Sequence, residues 1–277
     1  WTQKDGEWSA ETLWSASWDG DKQRLRDFEI GDVDGDGEDE IVIATHDNGV
    51  IAVLDHALSD AELVVQELDP KVNTYVHEIE LGDVDGDGTP EFFATPSDPN
   101  KSKDTQAGEV VMYRFQAGEY VRSVVDSTTS THAKEILASD LDGDGVSEVF
   151  SAVEAQKVAG QLKSKVEIRQ FQFEAGAPSG HQVVATIDDE QLRFMVAHDF
   201  DGDGWKELLV APMKTGLYLI DSEDGSTYTT EHIIKGSGGF EHSLNIFDLD
   251  QDGSFEAYVA DDEYSRELYV YRWAESG

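Results

Sequence analysis

The chain has 277 residues, of which 59 are acidic and 20 basic, for a formal net charge of −39. Such a field repels a nucleic-acid duplex or an anionic lipid surface, which excludes both as partners and favours cations. Hydrophobic residues at 39% and aromatics at 10% support a packed core, and the lack of cysteine excludes a disulfide framework or a thiolate metal site.

No apolar run is long enough to span a membrane. The chain begins at Trp1 with neither an initiator Met nor a leader, as expected of a mature or excised form. The first expected element is a short strand at Thr12–Ser17. Five similar units follow. The first has a strand at Phe28–Ile30, an acidic loop from Asp32 to Glu40 (DVDGDGEDE), and further strands at Ile41–Ala44, Val50–Leu54 and Leu63–Leu68. The second repeats the order with Ile79–Leu81, the loop Asp83 to Glu91 (DVDGDGTPE), Phe92–Ala94, Val110–Phe115 and Tyr120–Val125. The third has the loop Asp140 to Glu148 (DLDGDGVSE), then Val149–Ala152, Val166–Phe173 and Val183–Ile187. The fourth has Asp199 to Glu207 (DFDGDGWKE), Leu208–Val210, Leu217–Ile220 and His232–Ile234. The fifth has Leu244–Ile246, Asp248 to Glu256 (DLDQDGSFE), Ala257–Val259 and Leu268–Trp273, and then the chain ends.

The first Asp residues of successive loops are 51, 57, 59 and 49 residues apart, a blade-length period. Four strands per repeat predict an all-β fold, a five-bladed β-propeller of four-stranded antiparallel blades occupying residues 1–277 as one domain. The fifth repeat lacks a fourth strand. Thr12–Ser17 precedes the first loop by the distance at which fourth strands precede the others, so it is expected to close the last blade and remove an open edge.

The loops carry the chemistry. Asp occupies positions 1, 3 and 5 in all five copies: Asp32, Asp34, Asp36; Asp83, Asp85, Asp87; Asp140, Asp142, Asp144; Asp199, Asp201, Asp203; Asp248, Asp250, Asp252. Position 9 is Glu40, Glu91, Glu148, Glu207 and Glu256. Glycine at position 4 or 6 lets the turn fold back, and the carbonyl of position 7 (Glu38, Thr89, Val146, Trp205, Ser254) adds a neutral oxygen. An all-oxygen shell of flexible geometry suits Ca²⁺, about five ions in all, in a structural role. An EF-hand is excluded, because position 12 (Ile43, Ala94, Ser151, Val210, Val259) falls inside a strand instead of being a bidentate Glu. The competing reading is a set of acidic turns in which Asp side chains cap backbone amides.

The motif D-x-D-G-D-G-x-x-[DE] before a short strand, recurring about every 50 residues, resembles the FG-GAP/VCBS repeats, which also build the head of integrin α chains and propellers of several bacterial lectins and polysaccharide lyases. The resemblance covers about the whole chain. It implies that the carboxylates above are calcium ligands and that the protein works outside the cytoplasm, as an extracellular, cell-surface or periplasmic module. Gln251 departs from the pattern, standing where the other loops have Gly. Five repeats also differ from the seven blades of integrin heads.

Six residues before each first Asp stand Arg26, His77, Lys134, Arg193 and His242, all capable of positive charge in a chain with few such residues. Radial symmetry would gather them at the end of the sheets away from the acidic loops, as an anion site joined by Tyr75; the competing reading is a set of ion pairs with Asp27, Glu78 and Glu135. Two long connections, Pro96–Gly108 with Lys101 and Lys103 and Glu154–Lys165 with Lys157, Lys163 and Lys165, fall on the same side. Trp18 and Phe240 are further aromatic candidates there for stacking on a sugar ring, and for them and Tyr75 the competing, favoured reading is a wedge between blades. These residues predict a monomeric module that binds a glycan or an extracellular protein. The alternatives are a lyase on acidic polysaccharides, using His77, His242, Arg26, Arg193 and Tyr75, and a spacer without a ligand. No nucleophile-elbow or other catalytic signature supports an enzyme.

Overall fold

In a computed structural model of the chain, the described residues are 2–19, 24–56, 62–69, 71, 73–99, 103–235, 241–261 and 268–272. The structure is all-β. Four sheets have four antiparallel strands each. The first is Leu25–Gly31, Glu40–Thr45, Ile51–Asp55 and Val64–Glu67; the second is Tyr75–Gly82, Glu91–Ser97, Gly108–Gln116 and Glu119–Thr128. The third is Ala133–Ser139, Glu148–Val153, Val166–Glu174 and Ala177–Ile187; the fourth is Leu192–His198, Glu207–Pro212, Gly216–Asp221 and Thr229–Lys235. A fifth sheet has three strands among the described residues, Glu241–Phe247, Glu256–Asp261 and Leu268–Arg272. The strands predicted within the five repeats are recovered within a few residues, and each acidic loop joins the first and second strands of its sheet.

Successive sheets stack through their first, or lead, strands: first on second, second on third, third on fourth and fourth on fifth. Alternating strand residues supply one face to each neighbour. Val42, Ala44, Ile51 and Val53 of the first sheet meet Val76, Ile79, Phe92 and Tyr113 of the second. Phe93 and Met112 turn the other way, toward Ile136 and Val149 of the third. Comparable clusters fill the third interface, around Phe150, Ile168, Leu208 and Val210, and the fourth, around Leu209, Leu217, Leu244 and Val259. Where lead strands converge, glycine is required. A Cβ on Gly82 would lie 2.7 Å from that of Ala138 in the next lead strand.

Carboxylates join the lead strands where no ladder does. Asp27 accepts from the Ile79 backbone N–H at 2.9 Å, and Glu135 accepts from that of Met195 at 3.1 Å. The acidic loops are also stitched together: Ser147 N–H donates to the Asp83 carbonyl at 2.6 Å and Lys206 N–H to that of Leu141 at 2.9 Å.

The expected closure is corrected. Residues 12–17 form no strand, and Trp14 and Trp18 pack on Ile43, Val50, Ala52 and Leu54, the face of the first sheet turned away from the second. That is the face a closing fifth sheet would cover. The indole of Trp18 donates to Glu67 at 3.0 Å, which anchors the segment. Among the described residues, no packing comparable to the other four interfaces joins the fifth lead strand to the first. Phe28 and Ile30 on the first lead strand remain 53% and 46% exposed. The N-terminus instead adds a small hairpin, Thr2–Lys4 with Glu7–Ser9.

Phe92 is fully buried and stacks on Tyr113 with ring centroids 4.8 Å apart. Phe92→Ala is expected to cost about 3–5 kcal/mol, because the first–second interface cannot collapse around the void. Urea denaturation monitored by tryptophan fluorescence checks this; a loss below about 1 kcal/mol would show that the interface is not a core.

Candidate functional site

The first four acidic turns share one set of hydrogen bonds, and the fifth shares part of it. In the first, Asp32 accepts from Gly35 N–H at 2.8 Å and from Gly37 N–H at 2.9 Å, while Asp36 accepts from Glu38 N–H at 2.8 Å. The same bonds recur from Asp83, Asp140 and Asp199. Position 6 is glycine throughout, at φ between 90° and 98°. Position 4 is left-handed as well, which Gln251 achieves at φ 59° despite its side chain, so the fifth turn keeps the shape of the others. Capping of amides by Asp, the competing reading, is thus present in every turn.

Capping leaves carboxylate oxygens over, and these converge. Asp199, Asp201, Asp203 and Glu207 each bring an oxygen within 4.8 Å of the others. So do Asp32, Asp34 and Asp36; Asp83, Asp85 and Glu91; Asp140, Asp142 and Glu148; and Asp248, Asp250 and Asp252. All five turns therefore gather acids at hard-cation spacing. Asp87 and Asp144 stand outside these clusters, as do Glu40 and Glu256. Uncompensated carboxylates so close repel one another.

The ninth-position glutamates carry the clearest sign of a missing charge. Glu40, Glu91, Glu207 and Glu256 are all at most 2% exposed. In the first four loops one oxygen accepts the N–H of position 2, as in Val33 to Glu40 at 2.9 Å and Phe200 to Glu207 at 2.7 Å. The second oxygens of Glu40 and Glu207 are buried without a hydrogen-bond partner. Burial pushes both carboxyls up to about 7, further raised by the neighbouring loop aspartates. A bound cation would meet this demand, and oxygen donors at this spacing fit calcium.

The predicted cationic residues lie at the other end of the same strands, roughly 20 Å away along a seven-residue lead strand. Arg26 donates from Nε to the His77 carbonyl at 2.9 Å, and Lys134 pairs with Glu154 at 3.0 Å. Burial, then Glu154 acting in the opposite sense, then Arg193 and Arg26 act on Lys134, with its pKa lowered overall. Arg193 is lowered too, by burial first and by Arg26 among its neighbours. Arg26, His77, Lys134 and Arg193 are thus brought together; the His242 side chain, Phe240 and Lys101 lie outside the described residues. Tyr75 stacks against His46, with ring centroids 4.5 Å apart. Trp18 takes the packing role, covering the first sheet instead of facing a ligand. The two long connections meet: Thr105 N–H donates to the Lys157 carbonyl at 3.0 Å and Gly160 N–H to that of Lys103 at 2.7 Å.

Sequence reasoning missed His46, His132 and Glu154. The rings of His46 and His77 lie 5.5 Å apart, and those of His77 and His132 4.9 Å apart. Burial lowers His77 well below the usual histidine range and lowers His132 as well, so both are neutral near pH 7. Their signal was available, since His46 ends a second strand and His132 precedes a lead strand on the cationic side. Between the two ends lies a carboxyl stack. Burial raises Glu78 to about 10 and Glu80 to about 8, helped by Glu135 and Asp27 in the first case and by Glu29 and Asp27 in the second.

Residues 32–94 and 199–259 match the FG-GAP-like repeat family. No curated protein matches the chain. Among solved structures, an exotype rhamnogalacturonan lyase, YesX, is similar at a TM-score of 0.51 and 14% identity, over 90% of this chain and 47% of that one. The chain spans about half the length of that structure, and the likeness is one of fold. Among the described residues, no helix is long and apolar enough to cross a membrane.

Two outcomes test these sites. Trp205 supplies position 7 of the fourth loop, so terbium added to chelator-stripped protein is expected to luminesce on tryptophan excitation, and Asp199→Asn to cut that signal at least about tenfold; an equal signal from the variant would remove the fourth loop as a metal site. Glu80 binds its proton more tightly when folded, at about 8 against 4.5, so it costs stability progressively as pH rises between those values. Glu80→Gln is expected to raise the melting temperature by several degrees at about pH 8 and not at about pH 4; a shift equal at both would show that Glu80 is ionised in the fold.

Proposed function

We propose that this chain of FG-GAP-like repeats is a calcium-stabilised binding module whose five sheets are consecutive β-propeller blades, and that it takes an anionic glycan on the face opposite the calcium loops. The ligands we assign lie among the loop carboxylates and position-7 carbonyls, as in Asp32 to Glu40 of the first loop. Carboxylates gathered this closely favour a divalent cation, which supports a working compartment outside the cytoplasm, where calcium is abundant.

One observation carries the glycan reading. Arg26, Lys134 and Arg193 come from three successive lead strands and act on one another electrostatically, although the chain has a net charge of −39. Glu154 offsets part of this charge through its pair with Lys134 at 3.0 Å, and an anionic ligand would compensate the rest. The measurement is calorimetric titration with oligogalacturonate and a neutral oligosaccharide of equal length. Only the acidic one is expected to bind, more weakly at higher salt, with Arg26→Gln and Arg193→Gln each costing about tenfold. Equal binding of both sugars, or none, would sink this reading.

A second reading, a lyase on uronate-containing polysaccharides, is favoured by the neutral His77 and His132 beside Arg26 and Lys134. A neutral imidazole next to a carboxylate-binding cation can remove a proton α to that carboxylate. The fold likeness to an exotype rhamnogalacturonan lyase is compatible with it. New ultraviolet absorbance from the unsaturated product separates catalysis from binding.

A further inference from the structure

The five loops share their own sequence but not the residue that faces them. In each sheet the third strand runs antiparallel to the second, and its far end lies across from the ninth-position glutamate. Leu54 pairs with Ile41, which sets Asp55 opposite Glu40; Ile220 pairs with Leu208, which sets Asp221 opposite Glu207. Tyr113 pairs with Phe92, which sets Arg114 opposite Glu91, and Arg272 pairs directly with Glu256. In the third sheet the register brings Gln172 opposite Glu148. Residues paired across antiparallel strands project to the same side, and Asp55, Asp221, Arg114 and Arg272 all act on their loops.

The two arginines make the same pair of contacts. Arg114 Nε lies 2.5 Å from Glu91 Oε1 and its Nη2 3.1 Å from Asp85 Oδ2. Arg272 Nε lies 2.9 Å from Glu256 Oε1 and its Nη2 3.3 Å from Asp250 Oδ2. Both guanidinium groups therefore bridge positions 9 and 3. The Oε1 they engage is the atom that Glu40 and Glu207 leave buried and without a hydrogen-bond partner.

We infer that Arg114 and Arg272 act as built-in cations that close the second and fifth loops, and that metal is held by the first, third and fourth. The inference rests on the calcium reading above. A guanidinium occupies the lone pairs a metal needs and sets a positive charge beside any incoming ion. The first and fourth loops have the opposite arrangement. Asp55 acts on Asp34 and Glu40, and Asp221 faces Asp201 and Asp203, so a fifth carboxylate reinforces each site. Calcium affinity follows the charge count of the ligands, which ranks these two sites tightest and the Gln172-facing third loop below them. Arg114 is 16% exposed and held, whereas Arg272 is 63% exposed, so the fifth lock is the easier to open.

The test counts calcium. Chelator-stripped full chain is dialysed against saturating Ca²⁺, and bound metal per chain is measured by mass spectrometry of the element, with folding checked by circular dichroism. About three ions are expected, rising by about one in Arg272→Gln and by about two in Arg114→Gln/Arg272→Gln. About five ions in the unaltered protein would overturn the inference and leave the calcium reading intact. No bound calcium would overturn that reading, and the inference with it. A count unmoved by Arg272→Gln, whose exposed side chain makes misfolding no obstacle, would overturn the role given to the arginines. Conversely, Asp221→Arg is expected to abolish terbium luminescence from Trp205 in a folded protein; an undiminished signal would show that a facing arginine does not exclude metal.

Discussion

The ninth glutamate of each acidic loop meets two demands that only a carboxylate can meet together. It begins the second strand of its sheet, buried in every loop but the third, and in the first four loops one of its oxygens holds the amide of position 2 and so fixes the turn. Its other oxygen is left facing the loop aspartates. Hydrogen bonds satisfy the first oxygen, but the second needs positive charge, because a buried anion without a counter-charge is costly. Cation binding and strand geometry are therefore one constraint, and the turn cannot be built without creating the demand for charge.

The same economy explains how a chain so acidic packs at all. Propeller-type sheets stack face to face without hydrogen bonds between their strands, so lead-strand backbone amides need partners from elsewhere. Asp27 and Glu135 reach across to the next lead strand and accept them. Part of the negative charge is thus structural, spent on backbone amides in turns and between sheets. Its cost shows in the carboxyl stack, where Glu78 and Glu80 keep their protons far above the usual range.

Most of the fold was legible because the acidic loop is a punctuation mark. Its spacing located the end of each lead strand and the start of each second strand, and alternation supplied the rest. The cationic cluster was legible for the same reason, since Arg26, His77, Lys134 and Arg193 stand at one register relative to the loops. His46 and His132 stand at no common register, coming from a strand end and a connection, so a periodic reading passed over them. The N-terminal closure misled because Thr12–Ser17 has the spacing of a fourth strand but not its chemistry. Trp14 and Trp18 pack on Ile43 and Ala52, and the face that closure required is covered by them. Which loops favour metal was illegible in the loops themselves. It depends on strand pairing that brings Arg114 or Asp221 opposite a glutamate over a dozen residues earlier in sequence.

The lead strands tie the two ends of the molecule together. Each is only seven or eight residues long, with an acidic loop at one end and, in the first, third and fourth, a cationic residue near the other. A turn that springs open under carboxylate repulsion frees the C-terminal end of its lead strand, and with it the inter-sheet bonds made by Asp27 and Glu135 a few residues back. Those bonds set the spacing of Arg26 from Lys134 and of Lys134 from Arg193. Holding like charges at fixed spacing takes a rigid frame, because any slack lets them separate. The first, third and fourth loops terminate the lead strands that carry Arg26, Lys134 and Arg193, and these are the loops without a facing arginine. The second loop, closed by Arg114, terminates the strand of neutral His77. On the proposed assignment, metal falls on the strands whose charges most need to be held, and a built-in guanidinium closes the loop of the neutral His77 strand.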